Sequence, residues 1–127
     1  MSVTPASLLA VAGGGALGAS LRYLVAVLSR QGAPGAFPTG TLSVNLLGCL
    51  LIGVAANLFA AGEGTRTTLR LFLVVGLLGG FTTFSSFGLE TLRLLEEGRV
   101  LAAALYVGAS NVGGLALCYL GMRGTAP

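Results

Sequence analysis

Charged residues are so sparse in this chain that the intervals between them define its elements. Charge-free runs cover residues 1–21, 31–62, 71–89 and 100–122, and a helix that crosses a bilayer needs about 20 predominantly apolar residues. The pattern predicts four spans: Ala6 to Leu28, a second from Thr39, a third from Leu69, and a last from Val100 to Leu120. A fifth does not fit. Gly32, Pro34, Gly35 and Pro38 break the chain between the first two spans, and Ala61 to Thr68 forms a short second loop. The first basic residue is Arg22, so the positive region of a signal peptide is missing and residues 6–28 are expected to stay as the first helix. The expectation is one all-α membrane domain over residues 1–127.

One stretch breaks the apolar pattern from inside. Gly79-Gly80-Phe81-Thr82-Thr83-Phe84-Ser85-Ser86-Phe87 places two helix-weakening glycines and four hydroxyls in a segment otherwise fit for lipid. Hydrocarbon cannot satisfy hydroxyls, and irregular backbone at membrane depth is tolerated only where protein or a cavity covers it. The stretch therefore predicts a broken third helix lining a polar path. On a helical continuation Phe81, Phe84 and Phe87, at i, i+3 and i+6, share one face.

Polar residues in the other spans carry two readings each. In the first span, Gly13 to Ser20 is rich in small residues that permit close helix contact. Arg22 follows, either snorkelling at an interface with Tyr23 or standing as a positive charge at an aqueous mouth. In the second, Thr41, Asn45, Gly48 and Ile52 form one stripe, and Asn45 either glues two helices or aims an amide donor into an anion path. In the last, Tyr106 and Ser110 at i, i+4 either continue a polar track or make ordinary inter-helix bonds. Glu90 and Arg93, one turn apart, mark the third helix surfacing into water, with Glu90 flanking a pore mouth.

Composition agrees with the membrane assignment: 54% of residues are hydrophobic and 9% charged, against about 25% charged in soluble domains. Mean hydropathy is +0.91. With no histidine, imidazole acid–base chemistry is excluded. Cys49 and Cys118 match no metal-ligand spacing and read as small buried hydrophobes. No phosphate loop, nucleophile elbow or basic nucleic-acid stripe is present. The net charge of +3 rests on arginines alone: Arg66, Arg70 and Arg123 fall on one side of the membrane, Arg30, Arg93 and Arg99 on the other. That balance gives the positive-inside rule nothing to act on, so insertion in both orientations is expected.

Four ordered motifs now stand together: Gly14-Gly15-x-x-Gly18-Ala19-x-x-Arg22-Tyr23; Gly40-Thr41-Leu42-x-Val44-Asn45-x-x-Gly48; Gly79-Gly80-x-Thr82-Thr83-Phe84-Ser85-x-Phe87; and Tyr106-x-x-x-Ser110. Together they cover all four spans, and the chain resembles the Fluc/CrcB family of fluoride ion channels. The departure is minor: Ser86 stands where threonine is common, which keeps the hydroxyl.

The resemblance implies a homodimer of four-helix subunits inserted antiparallel in the cell membrane, passively exporting fluoride and protecting the cell from it. It implies two pores lined by Asn45, Phe84 and Phe87, and a polar track of Thr39, Ser85, Ser86, Tyr106 and Ser110 with Glu90 at its end. A structural sodium ion on the two-fold axis would take backbone carbonyls from Gly79 and Thr82. Such a site suits a small anion: hydroxyls and an amide replace hydration without a trapping counter-charge, and aromatic edges are electropositive. Two other classes remain. A small four-span proton-coupled efflux transporter needs a titratable carboxylate within its spans, and residues 1–62 contain none. A non-transporting assembly subunit would account for the glycines but not for the hydroxyls and phenylalanines.

Overall fold

The computed structural model describes residues 2–60 and 65–127, and every regular element among them is helical. Helix α1 (Pro5–Leu28) opens with a reciprocal cap, in which the Thr4 N–H donates to Ser7 Oγ at 2.9 Å and the Ser7 N–H to Thr4 Oγ1 at 3.1 Å. After α1 the chain turns through Gly32 and Gly35 at φ of 85° and 73°, values that a side chain would strain. Then come α2 (Thr39–Leu58), α3 (residues 65–81, π-wound over Leu71–Leu78), α4 (Phe84–Glu96) and α5 (Val100–Gly124, π-wound over Ala109–Gly113).

Among the described residues, Pro5–Leu28, Thr39–Leu58, Arg66–Glu96 and Val100–Gly124 are long and apolar enough to cross a bilayer. These are the four expected spans. The third starts earlier than expected, with helix from Thr65 instead of Leu69, because arginines at a span's end extend to the interface without breaking the helix. Residues 61–64, and Glu63 of the expected second loop with them, lie outside the described residues.

The spans associate in pairs, and glycine sets the pairing. A Cβ on Gly14 or Gly18 of α1 would lie 2.1 or 2.0 Å from the carbonyl oxygens of Phe72 and Leu77 in α3. Gly80 of α3 approaches the Gly15 carbonyl of α1 in the same way. The second pair joins α2 to α5: Gly53 faces the Cys118 carbonyl, and Gly121 the Leu50 carbonyl, at 2.1 and 2.5 Å from the would-be Cβ. Without a hydrophobic force between helices in lipid, such backbone-to-backbone approach supplies the packing. The buried side chains are few, among them Val44, Leu78, Phe81, Leu94 and Tyr106, while large apolar residues stand outward along every span.

Between α3 and α4, Thr82 (φ −85°, ψ 158°) and Thr83 (φ −153°, ψ 122°) are extended. This link undoes the expected common face of the phenylalanines. Phe81, before it, is buried; Phe84, after it, is 82% exposed; Phe87 packs on Tyr106 with ring centroids 5.2 Å apart. Two extended residues abolish the 100° register that would have stacked the rings.

Candidate functional site

The Thr82–Thr83 link is gripped from two sides. From α2, Asn45 Nδ2 donates to the Thr83 carbonyl at 2.9 Å, and the Thr83 N–H donates back to Asn45 Oδ1 at 2.8 Å. From α1, Arg22 Nε donates to the Gly80 carbonyl at 3.0 Å. A continuous helix would have given that carbonyl to the amide four residues on. Arg22 is thus half-buried and bound to backbone, while its neighbour Tyr23 points outward. Thr82 keeps helical contact backwards, its N–H and its hydroxyl both donating to the Leu78 carbonyl at 3.0 Å. Thr83 caps α4, its Oγ1 accepting from the Ser86 N–H at 3.2 Å.

A groove of about 350 Å³ runs along the outside of this link. Asn45, Thr82, Phe84, Phe87 and Ser110 line it, and among the described residues no charged side chain does. Ser110 Oγ is buried and has no hydrogen-bond partner, which leaves a donor unspent at the groove wall. It comes from the π-wound turn of α5, a geometry frequent at functional sites. The rings form a series from the groove inward: Phe84 to Phe87 at 5.5 Å, Phe87 to Tyr106 at 5.2 Å, and Tyr106 to Phe37 of the first loop at 5.6 Å, edge-on.

The expected polar track divides into two clusters. Near the link, Thr83 Oγ1 lies 3.3 Å from Ser85 Oγ and 3.2 Å from Ser86 Oγ. Further along α4, Glu90 turns inward instead of pairing with Arg93. Its Oε2 accepts from the Tyr106 hydroxyl at 2.6 Å, and its Oε1 from Thr41 Oγ1 at 2.8 Å and from the Gln31 amide. Thr39 is exposed and belongs to neither cluster, its carbonyl accepting from Ser43. Gly79 and Thr82 both reach the groove.

Thr41, Thr83, Gln31 and Phe37 were not among the expected site residues. Thr41 had a signal, since it lies one turn before Asn45 on the same stripe, and it is 2% exposed. Thr83 lay inside the conspicuous nonapeptide. Gln31 and Phe37 sit in a loop whose breakers foretell a turn and not the direction of its side chains.

Comparison with known proteins identifies the family. Residues 9–122 match the family model described as CrcB-like protein, Camphor Resistance (CrcB). The chain is 54% identical over 119 residues to a protein of Sphingopyxis alaskensis named fluoride-specific ion channel FluC, covering 91% of this chain and 92% of that one. Proteins of the same name from Agrobacterium fabrum and Nitrobacter winogradskyi are 47% and 49% identical over 88% and 83% of this chain, and over 90% and 83% of their own length. With nearly its whole length matched and four helices fit to cross a bilayer, the chain is a multi-pass membrane protein that belongs to the CrcB family.

Proposed function

We propose that this protein is a fluoride-selective channel, not an enzyme, which passes fluoride out of the cell down its electrochemical gradient. The observation that carries the reading is the groove beside the Thr82–Thr83 link: polar side chains and the Phe84 and Phe87 rings line it, one buried hydroxyl is unspent, and among the described residues no charged side chain lines it. A strongly hydrated anion needs donors to replace water but leaves only if none holds it as a counter-ion. Asn45 keeps one amide N–H beyond the one given to Thr83, Ser110 offers its hydroxyl, and Phe84 and Phe87 offer electropositive edges. The names of the relatives point the same way.

The subunit acts as half of an antiparallel, dual-topology homodimer. Two features support this: the arginine balance of three against three, and Phe84, a large ring 82% exposed at the groove where a second copy would cover it. The broken third span is the device that opens the groove, freeing the carbonyls of Gly79 and Thr82. The Thr83 N–H that would hold Gly79 goes to Asn45, and the Ser86 N–H that would hold Thr82 goes to Thr83 Oγ1. Two hard oxygens from each copy fit a sodium ion and no soft metal. Bound there, a sodium ion would be held by the Gly79 and Thr82 carbonyls and would supply positive charge that offsets their dipoles. Ser85, Ser86, Thr41 and Tyr106 form the polar track, with Glu90 held among them and Arg22 supplying positive charge beside it.

The rival proton-coupled transporter draws no support from Glu90, whose two oxygens are both engaged by donors and which is absent from the groove. Vesicles loaded with potassium fluoride separate the two. With valinomycin present a channel releases fluoride without moving protons, whereas a proton-coupled exporter changes the pH inside the vesicle as fluoride leaves, which an entrapped pH dye reports once leak from protein-free vesicles is subtracted.

A further inference from the structure

Two cavities meet at Gln31. The outer, of about 380 Å³, lies under the first loop with Glu90, Arg93 and Glu97 in its wall. The inner, of about 100 Å³, lies against Arg22, Thr41 and Thr83. Gln31, Ala26 and Ser86 line both. Ala26 offers nothing polar, and the Ser86 hydroxyl accepts from Thr83 Oγ1, which leaves its own O–H to face the inner cavity. The Gln31 amide, by contrast, lies across the passage, donating to Thr41 Oγ1 at 2.8 Å and to Glu90 Oε1. A primary amide has two N–H groups, and both are spent here.

We propose that Gln31 is a positioning residue that hands the anion from the outer cavity to the inner one. This rests on the channel reading. The Glu90 carboxylate stands in the wall of the outer cavity, beside Gln31, and by itself repels an anion. The Gln31 amide neutralises that obstacle in two ways. At rest it screens Oε1. When an anion arrives, the N–H held by Thr41 turns to the ion while the other stays on Glu90 Oε1, then returns once the ion has moved to the Thr41 and Ser86 hydroxyls. Each step exchanges one hydrogen bond for another of the same kind, so the net cost is small.

The test uses two substitutions in purified dimers reconstituted in liposomes, with leak from protein-free liposomes subtracted. Gln31→Met keeps the length and apolar stem and removes both donors. Fluoride efflux is expected to fall about tenfold and to be independent of pH. Gln31→Glu keeps the shape but sets a second carboxylate beside Glu90. Its efflux falls further at about pH 7.5 and recovers at least tenfold at about pH 5.5, because two carboxylates sharing a site retain a proton that restores a donor. A Gln31→Met dimer that conducts at the wild-type rate overturns the proposal, and decides alone if Gln31→Glu does not assemble. A Gln31→Glu dimer equally slow at both pH values also overturns it, since a merely structural role gives no acid rescue. Absence of fluoride efflux in the unsubstituted protein would defeat the channel reading instead.

Discussion

Asn45 holds Thr83 by both ends of its peptide unit, donating to the carbonyl at 2.9 Å and accepting from the N–H at 2.8 Å. An amide carries a donor and an acceptor side by side without needing to bind a proton, so neither an aliphatic residue nor an ionised carboxylate reproduces the grip. The two readings open for Asn45 from sequence, glue and anion donor, are therefore compatible: one N–H is used on the link and one is left.

Asn45→Asp retains the acceptor and turns an oxygen toward the Thr83 carbonyl. The expected loss is about 1–3 kcal/mol of stability, visible as a lower midpoint in thermal unfolding in detergent, together with loss of fluoride flux, because a negative charge enters a low-dielectric path. An Asn45→Asp dimer with wild-type flux would remove Asn45 from the pore.

Gly48 and Thr82 give a second test. A Cβ on Gly48 would lie 2.1 Å from Thr82 Cγ2, and Thr82 cannot swing away without giving up its hydroxyl bond to the Leu78 carbonyl. Gly48→Ala should cost about 1–3 kcal/mol through overpacking and displace the Thr82 carbonyl. Fluoride flux and the sodium dependence of dimer stability should both suffer, whereas Gly124→Ala, with open space around it, should change neither. Equal behaviour of the two variants would show that the link is insensitive to Gly48.

The phenylalanines separate packing from pore chemistry. Phe84 is 82% exposed in the subunit, so Phe84→Ile should leave the subunit fold intact; Phe87→Ile gives up its ring contact with Tyr106 at about 0.5–1.5 kcal/mol. Both lose the electropositive edge. Flux should fall tenfold or more in each, since about 1.4 kcal/mol on a barrier costs that much. Dimers of both variants conducting at the wild-type rate would return the rings to packing.

Orientation is tested independently of flux. With Arg66, Arg70 and Arg123 opposing Arg30, Arg93 and Arg99, C-terminal reporter fusions should detect both topologies in one population. Two lysines added beyond Gly124 should bias the C-terminus to the cytoplasm and deplete functional dimers. Flux that survives complete bias would contradict antiparallel pairing.

The spans were legible because charge is sparse and gathers mostly near their ends, as at Arg30, Arg66, Arg93 and Arg99, with Arg22 and Glu90 the two charges set further in and bonded inward. The region of the site was legible because hydroxyls and paired glycines have no reason to sit in lipid. Its internal arrangement was not. The extended dihedrals of Thr82 and Thr83 send Phe81 and Phe84 to different environments, and sequence periodicity carries no signal for a two-residue reset. Glu90 read as pairing with Arg93 one turn on, yet its partners Thr41 and Tyr106 lie on other helices and Gln31 on a loop. Such long-range bonds overrule local charge patterning.

Selective fluoride passage is the central claim, and efflux from liposomes containing only this protein tests it most directly. With valinomycin present, vesicles loaded with equal potassium fluoride and potassium chloride should release their fluoride rapidly and retain their chloride. Chloride leaving as fast as fluoride, or neither ion leaving from vesicles shown to hold folded dimers, would contradict it.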